Sequence, residues 1–124
     1  METQEQFSRR PTRSLEIRRD RYLRARGGTA KFLNLYCSKC NTWLLLYQKD
    51  GDGRLLRCYL NRIFAPANLE ALQYDPNIVK PRDMKPLLCS GCGEQVGIPT
   101  LHHDGRLSFR LINGAFRKKV AADG

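Results

Sequence analysis

Cys37 and Cys40 stand two residues apart in LYCSKCNTW, and Cys89 and Cys92 repeat that spacing in LLCSGCGEQ. A Cys-x-x-Cys turn presents two sulfurs to one ion. Two such turns make the all-thiolate tetrahedral shell of a structural zinc, with no position left for a reactive water. The same spacing serves thiol redox chemistry when a pair opens a helix in a βαβ setting, but both pairs here lie between strand-like segments. An iron–sulfur centre on the same four ligands stays open. The reading is one structural Zn²⁺ held by Cys37, Cys40, Cys89 and Cys92.

The remaining chemistry-bearing residues carry less. Cys58 is read as a small apolar side chain on the inner face of a strand, and His102 and His103 as exposed residues leading into a turn. Trp43 is expected to pack beside the metal, with Tyr47 on the same strand face. No Gly-rich phosphate loop, paired carboxylates or base-activated nucleophile is present, so a non-catalytic protein is expected.

Two elements must position the cysteines, and they are alike. Residues 35–64 fall without a gap on residues 87–116 at an offset of 52, matching Cys37 with Cys89, Cys40 with Cys92, Asp52-Gly53-Arg54-Leu55 with Asp104-Gly105-Arg106-Leu107, Asn61 with Asn113 and Phe64 with Phe116. Each unit reads as a strand, a zinc knuckle, an outgoing strand, a tight Asp-Gly turn and a returning strand. The hairpin arms fall at residues 42–48 and 54–60, then 95–101 and 106–112. In the first returning arm, alternation puts Leu56, Cys58 and Leu60 on one face and Leu55, Arg57 and Tyr59 on the other.

The fold class is therefore all-β: two knuckle hairpins sharing one metal, preceded by a basic helical or extended arm. The boundaries are residues 1–30 for the arm, 31–120 for the zinc-binding domain with a linker at 65–86, and 121–124 for a tail. Within the linker, residues 67–73 are expected to make two helical turns, and residues 75–86 a surface loop punctuated by prolines.

A chain of 124 residues is one domain by length and gains from a metal clasp, because its apolar core is small. Its formal charge of +10 falls to about +8 once four thiolates bind one divalent ion. An acidic partner follows, with nucleic acid favoured. Arg9, Arg10, Arg13, Arg18, Arg19, Arg21, Arg24 and Arg26 crowd the first 26 residues, ahead of Gly27 and Gly28, which would stop a helix. Arg117, Lys118 and Lys119 follow the second unit. Guanidinium groups spread around one element suit folded RNA, whose phosphates lie on several sides. These eleven residues are the expected RNA contacts, and removal of residues 1–26 is expected to leave the core folded. No apolar run is long enough to span a bilayer. The first residues lack a secretory pattern, so the cytoplasm is the expected location.

Residues 35–116, with their two Cys-x-x-Cys knuckles about fifty residues apart in a β-rich segment, resemble the β-tent zinc proteins. That fold group includes the Yippee proteins, the ligand-binding domain of cereblon and methionine sulfoxide reductase B. The resemblance implies two antiparallel sheets meeting at an angle over one zinc on Cys37, Cys40, Cys89 and Cys92. It does not extend to chemistry: no cysteine follows Cys92 to serve as a reductase nucleophile, and Trp43 is a lone tryptophan where a cage needs three. The arm looks more like the extensions with which ribosomal proteins enter ribosomal RNA. A zinc-stabilised RNA-binding protein of a ribosome or other ribonucleoprotein is the leading expectation, and a protein-interaction adaptor the alternative.

Overall fold

The structure is a computed structural model and describes residues 16–121. Eight strands dominate it, in two four-stranded antiparallel sheets. The first sheet has the order β4-β2-β1-β8, from Ile63–Ala65, Trp43–Asp50, Ala30–Cys37 and Phe116–Val120. The second has the order β3-β7-β6-β5, from Arg57–Tyr59, Leu107–Leu111, Gln95–Leu101 and Leu87–Leu88. Helices are short: α1 spans Arg21–Ala25 and α2 spans Ala67–Glu70, with single 3₁₀ turns elsewhere. α2 runs into a 3₁₀ turn at Ala71–Tyr74, which makes the two helical turns expected there.

The strand β2, WLLLYQKD, is buried almost throughout, because it is central in its sheet and apolar groups cover both of its faces. Leu44, Leu45 and Tyr47 join the main core with Leu33, Leu35, Cys58, Ile63, Val96 and Phe109. Trp43 and Leu46 belong instead to a second cluster with Ala65 and Ala121. Burying each such leucine contributes about 1.5–3 kcal/mol. The expectation that Trp43 and Tyr47 share a face is thereby corrected. The pairing of β2 with β1 slips between Trp43 and Leu45 and leaves Leu44 as an extra residue, and a slip of one residue reverses the facing of the side chains on either side of it.

The first hairpin also departs from expectation. After Asp52 and Gly53 the chain leaves its own sheet, and β3 pairs with β7 of the other sheet through Cys58 opposite Phe109. The reason is occupancy: β1 and β4 already flank β2 on both edges. In the second unit β6 has one edge open, and there the Asp104-Gly105 hairpin to β7 forms as expected. Because regular strand geometry begins only at Arg57, the alternation fails before it. Leu55 is buried and Leu56 is 51% exposed, the reverse of the expected facing. Cys58 and Leu60 do lie inside.

Residues 16–28 are not separable from the core. Asp20 caps α1, its Oδ1 accepting from the backbone N–H groups of Tyr22 and Leu23 at 3.0 and 3.1 Å. Gly27 and Gly28 close the helix as expected. Both have positive φ, and their N–H groups donate to the carbonyls of Arg24 and Leu23. Leu23 is only 2% exposed, and Asp20 grips Arg62 of the core. The expected clean removal of residues 1–26 is corrected on these contacts. Arg9, Arg10 and Arg13 lie outside the described residues.

Candidate metal centre and basic surfaces

The two knuckles occupy equivalent places, one joining β1 to β2 and the other joining β5 to β6. Each is closed by the same pair of backbone hydrogen bonds. The N–H of Cys37 donates to Thr42 and that of Asn41 to Cys37, each at 2.8 Å; the N–H of Cys89 donates to Glu94 and that of Gly93 to Cys89, at 2.8 and 2.9 Å. Each turn requires a left-handed residue, and Asn41 and Gly93 supply it with φ of 67° and 80°. Asparagine and glycine are the residues that enter that region at least cost. Gly91 meets a second demand, since a Cβ there would collide with Thr42 Oγ1 and press on Cys40 Sγ of the facing knuckle.

This close approach gathers the sulfurs of Cys37, Cys40, Cys89 and Cys92 so that all lie within 4.8 Å of one another. Cys37 and Cys92 are 3.7 Å apart, and Cys40 and Cys89 are 3.4 Å apart. Four thiolates around one zinc at ~2.3 Å would stand ~3.8 Å apart, so the cluster has the dimensions of a metal shell. Polar hydrogens already point at it: the Gly91 N–H is 3.3 Å from Cys89 Sγ, and Thr42 Oγ1 is 3.0 Å from Cys40 Sγ. Such contacts orient thiolate ligands and share their charge.

The protons of the cluster are unevenly held. Cys40 is drawn down to about 6, first by its side-chain hydrogen bond with Thr42, then by a backbone hydrogen bond from the same residue. Cys92 is pushed up to about 12: a backbone hydrogen bond at Glu94 opposes the shift, and desolvation with the neighbouring thiols of Cys40, Cys37 and Cys89 outweighs it. Four negative sulfurs this close need a cation between them. Cys58 stands apart on β3, fully buried, its thiol pushed far up by desolvation alone. It reads as a core residue, as expected.

The basic residues divide into two kinds. Arg18 is spent inside the fold: its backbone N–H donates to Gln48 Oε1 at 2.7 Å, and its guanidinium donates to the Asn61 carbonyl at 2.6 Å and to the Gln73 side chain. The same guanidinium lies 4.8 Å from the centre of the Phe64 ring. Arg19, Arg21, Arg24 and Arg26 are exposed on and around α1, and Arg117, Lys118 and Lys119 are exposed along β8, an edge strand of the first sheet. Arg26 also donates to the Asp52 carbonyl at 2.9 Å.

His102 differs from its expected exposure, with only 17% of its side chain in contact with solvent. Its ring stands edge-on to Tyr59 and tilted against His103, 5.4 and 4.0 Å away. Sequence reasoning also missed Arg106, whose guanidinium is sandwiched between the rings of Tyr22 and Tyr59 at 3.7 and 3.6 Å. The match of Arg106 with Arg54 across the 52-residue offset was the available signal. Comparison with protein-family models, curated proteins and solved structures returns no match to this chain.

Proposed function

We propose that the protein is a non-catalytic, zinc-stabilised RNA-binding module, docking on a ribosome or another ribonucleoprotein in the cytoplasm. Its metal clasp would join the first hairpin of each sheet into one β-tent-like unit, related by the internal repeat. A bound zinc would supply only structural cross-linking, because four sulfurs fill its shell. The carrying observation is the exposed positive surface at both ends of the described chain: Arg19, Arg21 and Arg24 around α1, and Arg117, Lys118 and Lys119 along β8. Clustered cations that form no ion pair with a described residue favour a polyanion, and the guanidinium fork favours phosphate. The test is sedimentation of native lysate through a gradient, followed by filter binding of purified protein to structured RNA over a salt series. Co-migration with ribonucleoprotein and steep weakening with salt are expected. Migration at low mass without RNA overturns the reading.

A second reading, the protein-interaction adaptor, is favoured by a different feature. An apolar groove of about 580 Å³ runs between α2 and the 78–88 segment, lined by Leu69, Leu72, Ile78, Met84, Leu88 and Phe109. A groove of this composition suits a hydrophobic peptide side chain. Cross-linking from a residue at its rim, such as Asn68, that captures one protein in place of RNA would decide for this reading.

A further inference from the structure

A second depression lies beneath α1, between the two sheets, with a volume of about 500 Å³. That is the size range of small-ligand sites. Its lining includes both members of the repeat-matched pair Arg54 and Arg106, together with Arg57, Lys49, Tyr47 and the His102–His103 pair.

The distribution of hydrogen-bonding capacity in this cleft is lopsided. Its two carboxylates are already engaged. Asp104 accepts from the backbone N–H of Arg106 and from its guanidinium, at 3.0, 3.0 and 2.9 Å. Asp50 accepts from Gln48 at 2.9 Å and from the sealed Arg62 at 3.0 Å. The donors are not saturated. Tyr47, 2% exposed, accepts the Tyr59 N–H on its hydroxyl oxygen at 2.9 Å, and its own proton meets no acceptor among the described residues. Lys49 spends one N–H on the Gly51 carbonyl at 2.8 Å and has two more. Arg54 and Arg57 make no hydrogen bond or ion pair with a described residue, although both line the cleft.

A partly desolvated cleft in which cationic donors outnumber the carboxylates, and in which both carboxylates are engaged by donors of the fold, is complementary to a ligand group that only accepts and carries negative charge. Phosphate fits that description, and Arg54 and Arg57 present forks to it. Beside these donors, the exposed ring of His103, tilted 48° against that of His102, offers an aromatic face. Planar rings stack on such surfaces. The volume exceeds what a bare phosphate needs. We propose that this cleft binds a nucleotide, its phosphate held by Arg54 and Arg57 and its base against His102 and His103. The nucleotide is either free or the 5′-phosphorylated end of a nucleic-acid strand. Arg26 borders the cleft, but Arg19, Arg21 and Arg24 around α1 and the basic residues of β8 do not line it, and the site does not depend on the RNA-docking reading.

The test is isothermal titration of the full, metal-loaded chain with adenosine monophosphate, adenosine, inorganic phosphate, and a short oligoribonucleotide with and without a 5′-phosphate. The monophosphate is expected to bind at least about tenfold more tightly than either adenosine or inorganic phosphate. The Arg54→Gln/Arg57→Gln pair is expected to lose this binding with an unchanged melting temperature, while Lys39→Gln, at an exposed ion pair with Glu94, retains it. Tighter binding of the phosphorylated strand than of the mononucleotide assigns the strand end, and the reverse assigns the free nucleotide; either supports the site. The proposal is overturned if adenosine or phosphate alone binds as well as the monophosphate, or if the double variant binds it undiminished. Nucleotide binding that survives substitution of Arg19, Arg21 and Arg24 while structured RNA is lost separates this site from the docking surface.

Discussion

The carboxylate of Asp20 takes both terminal nitrogens of Arg62, at 2.7 and 3.1 Å, across 42 residues of sequence. The Arg62 side chain is 1% exposed, and its Nε is held by Asp50 at 3.0 Å. One carboxylate thus caps α1 and neutralises a cation that the core has sealed from water.

Removing that carboxylate leaves Arg62 with Asp50 alone. Asp20→Ala is expected to destabilise the fold by about 2 kcal/mol, combining a lost helix cap with a weakened pair. The figure is below that of a fully sealed pair because the Asp20 side chain is 36% exposed. Leu23→Ala should cost about 3 kcal/mol by opening a cavity. Urea unfolding should show both losses. It should also show a larger loss for a chain starting at residue 27 than for one starting at residue 16. Equal stability of the two truncations would contradict the packing described.

Stability should fall in acid by two steps of known sign. The hydrogen bond from Arg62 is the main cause holding the Asp20 carboxyl below its ordinary 3.8. Its contribution is therefore complete above 3.8 and is lost as pH falls through the lower folded value. His102 is depressed from 6.5, chiefly by desolvation. The unfolded chain takes up that proton first, so stability declines as pH drops below 6.5. Comparing wild type with His102→Gln and with Asp20→Asn across pH should assign the shallow decline to the first and the steeper acid loss to the second. Release of metal is common to all three proteins and drops out of the difference.

Purified protein should carry one zinc per chain, and Cys37→Ser or Cys89→Ser should abolish both metal and fold. A structural zinc contributes on the order of 10 kcal/mol, as much as a small domain's whole stability. Cys58→Ala should keep the metal and lose only about 1 kcal/mol of packing. Elemental analysis and circular dichroism decide this, and stoichiometric iron in protein purified without air would replace the zinc assignment.

Arginines of the same segment should behave in opposite ways. Arg18→Gln should lower the melting temperature, since it strips hydrogen bonds from Asn61 and Gln73. The Arg19→Gln/Arg21→Gln/Arg24→Gln triple should melt normally and weaken RNA binding. Each phosphate contact removed should reduce the salt slope by about 0.9. An RNA affinity that follows Arg18 and ignores the triple would move the contact surface elsewhere.

The cysteine cluster was legible because its information is local: a knuckle needs two ligands, a left-handed residue and a short turn, all within six residues. The Asp104-Gly105 hairpin was legible for the same reason. The equivalent turn at Asp52-Gly53 carries the same local signal but leads to a different outcome, because β4 takes the edge of β2 that the returning strand would need. No window around Asp52 contains that competition. The inward commitment of Arg18 and Arg62 escaped notice for a related reason, since in sequence they resemble the other arginines. Only partners 12 to 55 residues away distinguish them.

Strand exchange between the sheets has a consequence for synthesis. The first sheet borrows β8 from the end of the described chain, and the second borrows β3 from its first half. A nascent chain that has emerged only as far as residue 70 holds β1, β2 and β4 but lacks the strand that closes the far edge of β1, and its β3 has no neighbour. Half of the thiolates are still unmade at that stage. Neither half of the polypeptide is therefore a folding unit, and the nascent chain reaches its final pairing only after residue 120 has left the exit tunnel. Until then, the far edge of β1 is an unpaired strand edge open to pairing with another chain.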